Sequence, residues 1–138
     1  MGRVVGVDLG SKRIGFAVSD PDRIIATAHK VVECAGDRKI REAILAVCAE
    51  TGADLLVLGL PLNMDGSSGP AAERAQKFQA DMRELLSIPI ILWDERLTTK
   101  SAHAVLIEAG ARRSKRRDLV DKVAAQFMLQ HFLDAQPA

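Results

Sequence analysis

The chain holds only two cysteines and three histidines in 138 residues. Neither set has a spacing that binds zinc. Cys34 and Cys48 form no C-x-x-C pair, and a disulfide is not expected in a reducing compartment. Cys48 falls in register with Ile40, Ile44 and Val47 and reads as core filler. His29, His103 and His131 are read as structural. No apolar run approaches the length of a membrane span. The chain meets its first strand almost at once, without an apolar leader, so a cytoplasmic location is expected. Net charge is only +1, so bulk charge points to no partner. Internal repeats and linkers are also lacking, which makes residues 1–138 one domain. Hydrophobic residues at 48% and charged residues at 27% suit a globular protein with a real core.

What is present begins with Val4-Val5-Gly6-Val7-Asp8-Leu9-Gly10. Its unbroken apolar character predicts a strand buried on both faces at the centre of a sheet. Arg13 to Asp20 alternates as a second strand should, and Ile24 to Val32 as a third, giving an antiparallel meander. Asp37 is placed to N-cap a helix through about Glu50, stopped by Gly52. Asp54 to Gly59 is a second fully apolar strand, expected to lie parallel to the first. Asp54 itself begins that strand and belongs to no evident cluster. A helix over about Pro70–Leu86 is predicted to bury Ala71, Ala75, Phe78, Met82 and Leu85. Ile88 to Trp93 is a short strand, placed near an edge by Pro89. A helix from Thr98 or Thr99 to about Ala109 follows. The last helix, Asp118 to about Leu133, is expected to face Val120, Val123, Ala124, Phe127 and Leu129 or His131 inward. The order β-β-β-α-β-α-β-α-α predicts an α/β fold: a five-stranded mixed sheet with helices on both faces.

Acidic residues gather at expected strand and helix ends: Asp8, the Asp94–Glu95 pair, Asp118 and Asp121. Asp8 and Asp94–Glu95 follow apolar strands at the edge where open α/β sheets place their ligands. Asp8 either caps a hairpin loop or is a metal ligand on the most rigid strand. Only one of Asp94 and Glu95 can point into a site if the backbone is extended. Glu95, with its longer reach, is favoured. Asp118 and Asp121 share a helical face, although Asp118 alone also suits a helix N-terminus. Carboxylates converging in this way repel without a divalent cation, and oxygen-only ligands favour Mg²⁺ or Mn²⁺.

The loop after the fourth strand has no Walker spacing. Its glycine-rich turn, with Asn63, Ser67 and Ser68, is either a phosphate contact or an ordinary loop. Arg112, Arg113, Lys115, Arg116 and Arg117, expected between two helices, form either a solvated charge run or a patch that draws in a nucleic-acid backbone.

Four stretches together resemble one family. They are Val7-Asp8-Leu9-Gly10-Ser11-Lys12-Arg13-Ile14-Gly15; Gly59-Leu60-Pro61 through Gly66-Ser67-Ser68-Gly69; Asp94-Glu95-Arg96-Leu97-Thr98-Thr99; and Val120-Asp121-Lys122-Val123-Ala124-Ala125. They resemble the YqgF or RuvX family, the Holliday-junction-resolvase-like proteins of the ribonuclease H superfamily. The resemblance implies a ribonuclease H-like fold and a metal-dependent nuclease that matures the 16S ribosomal RNA precursor. Junction resolution, or a non-catalytic RNA-binding or regulatory role, are the alternatives.

Carried over by motif, the catalytic and metal-binding set is Asp8, Glu95 and Asp121. Related resolvases place their middle glutamate after the fourth strand. Here that strand ends in Gly59-Leu60-Pro61, so Glu95 after the fifth would supply it. The expected mechanism uses two ions about 3.5–4 Å apart, with Asp8 bridging them. Lys12, Arg13 and Arg96 are further expected phosphate contacts. The expected partner is nucleic acid, RNA before DNA, with the protein a monomer or homodimer and no membrane involved. Asp-Leu-Gly-Ser also resembles a phosphate loop of actin- and Hsp70-like ATPases, but those need two such domains and this chain has one.

Overall fold

The computed structural model describes residues 2–10, 13–33, 36–61, 65–94 and 113–136, with the backbone alone over 113–122. Five strands form one sheet: β1 (Arg3–Leu9), β2 (Arg13–Ser19), β3 (Ala26–Glu33), β4 (Ala53–Leu60) and β5 (Ile90–Asp94). Their order is β3-β2-β1-β4-β5. β1 is therefore central, antiparallel to β2 and parallel to β4, while β5 is an edge parallel to β4. This is the mixed sheet that the strand periodicities predicted. Among the described residues three helices pack on it: α1 (Asp37–Thr51), α2 (Pro70–Arg83) and α3 (Arg113–Ala135). The helix expected from Thr98 or Thr99 to Ala109 lies outside the described residues, as do Cys34 and His103.

Strand alternation divides the core. Val5, Val7 and Leu9 of β1 join Leu56, Leu58 and Ile90 beneath α1 and α2. Val4 joins Ala17, Leu55 and Val57 beneath α3. α1 buries the expected Ile40, Ile44, Val47 and Cys48 and ends at Gly52, whose left-handed φ of 68° suits glycine. Burial pushes the Cys48 thiol up to about 11, so it packs as an inert apolar group. α3 comes unusually close to β1: a Cβ on Gly6 would stand 3.0 Å from the Leu129 Cβ.

Several local expectations are corrected. Gly36, with φ 97°, occupies the N-cap of α1, and Asp37 falls in the first turn, where its charge meets the helix dipole. β3 begins at Ala26, not Ile24. The Asp20 carboxylate accepts both the Ile24 and Ile25 N–H groups, at 2.7 and 2.9 Å, which turns that backbone away from the ladder and exposes both side chains. On α2 the buried stripe runs through Ala72, not Ala71. The helix ends at Arg83; Leu85 and Leu86 both donate to the Met82 carbonyl, and this tight turn sends Leu86 to the core and leaves Leu85 exposed.

β5 spans Ile90–Asp94 instead of Ile88–Trp93. α3 starts at Arg113, five residues before Asp118, because Arg and Lys are good helix formers and nothing there breaks a helix. The basic residues from Arg113 to Arg117 are thus helical and not a connector. The described buried stripe of α3 is Ala124, Ala125, Met128, Leu129, Phe132 and Leu133. Val123 and Phe127 are half-buried and His131 is exposed, since the helix rests on two adjacent rows beginning with small alanines. Asp54 is not isolated: it accepts the Gly2 N–H at 2.8 Å and pairs with Arg23.

Candidate active site at the carboxyl edge of the sheet

Because β1, β4 and β5 are parallel, their carboxyl ends share one edge. Val7, Leu58 and Leu92 form a single row across the three strands. Asp8 stands one residue beyond that row, half-buried, opposite Gly15 of β2. Val4 and Gly6 point to the α3 side, so alternation puts Asp8 on the α3 side too. On β5, Ile90 and Leu92 pack beneath α1 and α2, whereas Trp93 packs on the α3 side. Asp94 therefore returns to the α1/α2 side and does not share a face with Asp8. Trp93 is braced by the rings of His131 and Phe132, with centroids at 5.7 and 5.2 Å, and its Nε1–H donates to His131 Nδ1 at 3.4 Å.

Of the expected catalytic set Asp8, Glu95 and Asp121, the structure describes only the Asp8 side chain. Glu95 lies outside the described residues. Asp121 lies in α3, one turn ahead of the buried Ala125, and its side chain is not described. Among the described residues no three Asp, Glu, His or Cys side chains come together as a metal site.

Arg13 is half-buried at the start of β2, at this same edge. Lys12, Asn63, Arg96 and Arg112 lie outside the described residues. Arg113, Lys115, Arg116 and Arg117 lie in the first turns of α3 without described side chains. Ser68 is exposed. Ser67 is held locally: its N–H and hydroxyl donate to Asp65 Oδ1 at 2.9 and 2.6 Å, around Gly66 with φ 86°. An acidic side chain is thus seated among the donors expected to meet phosphate.

One basic residue at this edge escaped the sequence reading. Arg74 of α2 reaches the β1–β2 turn, and its Nη1 donates to the Gly10 carbonyl at 3.0 Å. The only local sign is Phe78 one helical turn on, under the guanidinium at 5.6 Å. The contact to Gly10 has no sequence signature.

The family profile described as RuvX, Holliday junction resolvase, matches residues 2–135. The chain belongs to the RuvX family. A family relative in Syntrophomonas wolfei subsp. wolfei, which carries the provisional name pre-16S rRNA nuclease, is 46% identical over 132 residues, covering 96% of this chain and 94% of its own. Among solved structures, the fowlpox virus Holliday junction resolvase superposes with a TM-score of 0.58 at 12% identity, covering 97% of this chain and 99% of its own. RuvC of T. thermophilus, solved with a Holliday junction substrate, gives 0.57 at 16% identity, covering 98% and 95%. At those identities the likeness is one of fold, and it is the expected ribonuclease H-like fold. In this RuvX chain the acid-bearing end of the central strand and the last helix therefore belong to a resolvase-like frame.

Proposed function

We propose that this chain is a metal-dependent nuclease that hydrolyses phosphodiester bonds in the precursor of 16S ribosomal RNA. The observation that carries the proposal is Asp8: a half-buried carboxylate at the carboxyl end of the central strand, in a RuvX chain close to a relative bearing that nuclease name. A carboxylate so placed, on the central strand and at the edge where open α/β sheets bind their ligands, is a hard oxygen donor suited to a divalent cation.

Glu95 and Asp121 complete the proposed set. Glu95 is included for its reach and its place directly after Asp94 in the sequence. Asp121 precedes, by one turn, the α3 residues that pack on that face. Carboxylate oxygens are hard donors, so the set fits Mg²⁺ or Mn²⁺ better than a soft metal. Bound there, such ions activate water and stabilise a leaving oxygen. The chain's own part is to hold the carboxylates on rigid elements and to offer Arg13, with Lys12, Arg96 and the basic start of α3, to backbone phosphates. Processing of ribosomal RNA in this way belongs in the cytoplasm.

The family description favours a second reading, a Holliday junction resolvase. Such an enzyme must cut two strands related by a two-fold axis and would act as a symmetric dimer. The deciding experiment incubates the protein with Mn²⁺ and matched RNA and DNA in single-stranded, duplex and four-way form. Cleavage of RNA supports the main reading. Paired cuts in four-way DNA by a dimer would replace it, and no cleavage of any substrate would overturn both.

A further inference from the structure

We propose that Arg74 is a positioning residue for the candidate site: it clamps the β1–β2 turn next to Asp8, and the order of that turn sets the rate of cleavage. The inference rests on the nuclease reading and adds a residue outside the four family stretches that carry it.

Gly10, where the chain leaves β1, is held from both sides. Gly10 donates its N–H to the Asp8 carbonyl at 3.2 Å, so the chain reverses immediately after the carboxylate. A Cβ on Gly10 would stand 2.4 Å from the Arg13 carbonyl oxygen, so only glycine fits. From outside, the Arg74 guanidinium bonds the Gly10 carbonyl at 3.0 Å, across 64 residues of sequence. Arg74 is itself half-buried, and its guanidinium lies 5.6 Å from the centroid of Phe78, a core residue with 3% exposure. A planar cation stacked on a fixed ring is pre-organised, which makes it an anchor and not a wandering surface charge.

The clamp bears on function because of what flanks the turn. Asp8 precedes it by two residues, and Arg13 begins β2 just after it. Both belong to the proposed site, on opposite limbs of one hairpin. α2, tied to the core through Ala72, Ala75, Phe78 and Met82, supplies the fixed reference for that hairpin. Cleavage depends on holding reacting groups in place, and a displacement of about 1 Å can lower a rate by about 100-fold. Loss of Arg74 should therefore lower kcat with little change in substrate affinity.

The test compares native protein with Arg74→Ala and Arg74→Lys in two measurements. Amide hydrogen exchange over residues 8–14 reads the turn directly. Cleavage of RNA at saturating Mn²⁺ reads kcat and KM separately. For Arg74→Ala, exchange in 8–14 should accelerate while α1 is unchanged. Its kcat should fall by about tenfold or more, with KM within about twofold. Arg74→Lys keeps a donor for the Gly10 carbonyl and should recover much of both. Unchanged exchange in the turn would overturn the proposal, as would a loosened turn with native kcat. A rise in KM alone would overturn it too, making Arg74 a phosphate contact instead. If native protein cleaves nothing, the nuclease reading fails by itself, and the exchange arm still decides whether Arg74 holds the turn.

Discussion

Gly6→Ala measures how tightly α3 is pressed onto the central strand. The added methyl would meet the Leu129 Cβ at 3.0 Å and both Leu129 Cδ atoms at 3.5 Å. The Cδ contacts are ordinary, but the Cβ contact belongs to the helix backbone as much as to the side chain, so α3 must move by a few tenths of an ångström. Overpacking of this kind costs about 1–3 kcal/mol. Replacing glycine also stiffens the unfolded chain, which returns about 0.4–1 kcal/mol. The net loss should be about 1 kcal/mol, or roughly 3–5 °C in Tm for a domain of this size. Gly6→Val, with two more methyl groups against the same helix, should lose clearly more. Thermal unfolding followed by circular dichroism gives both values. Gly6 lies two residues before Asp8 on the same face, so displacement of α3 should also slow cleavage more than the stability loss explains. A Gly6→Ala protein as stable as native, with native activity, would refute the close packing of α3 on β1.

Two other outcomes follow from separate parts of the molecule. The backbone N–H groups of Ile25 and Ile24 hold the Asp20 carboxyl below its usual range. A depressed folded value means stability that is present above the unfolded pKa and lost as pH falls through the folded one. The Tm advantage of native protein over Asp20→Asn should therefore be full at pH 6 and shrink on acidification below about pH 4, as pH-dependent melts would show. Replacing Arg112, Arg113, Lys115, Arg116 and Arg117 with Gln should weaken nucleic-acid binding, and the slope of log K against log salt on duplex DNA should fall by about one unit for each lost phosphate contact. A slope equal to native would make these residues a solvated charge run only.

The fold was legible where one periodicity dominated. The apolar runs of β1 and β4 announced central parallel strands, and the spacing of Ile40, Ile44, Val47 and Cys48 announced the buried face of α1. Legibility failed where a single contact overrode the pattern. Ile24 and Ile25 look like strand residues, yet the Asp20 side chain takes both of their N–H groups. On α3, the expected Ala124 and Leu129 are buried, but Val123 and Phe127 look more suited to the core than Ala125, which is buried where they are only half-buried. At the site, Asp8 was legible as an acid closing an apolar strand. The preference for Glu95 over Asp94 came from reach and alternation, and the register of β5 puts Asp94 on the face away from Asp8. Arg74 was invisible because its partner is a backbone carbonyl brought near only by the folded chain.

The central claim is that Asp8 binds the metal of a nuclease, and Asp8→Asn tests it most directly. The measurement is RNA cleavage with Mn²⁺, paired with thermal unfolding in chelator and in Mn²⁺. Asn keeps the shape and removes the charge. The variant should fold, fail to cleave, and lose most of the metal-induced rise in Tm, because only the native site gains the full mass-action term. In chelator it should melt at or above native, since like charges at one sheet edge disfavour each other by about 1–2 kcal/mol. Native-rate cleavage by Asp8→Asn, or an equal metal shift in both proteins, would contradict the assignment of Asp8 and with it the metal site.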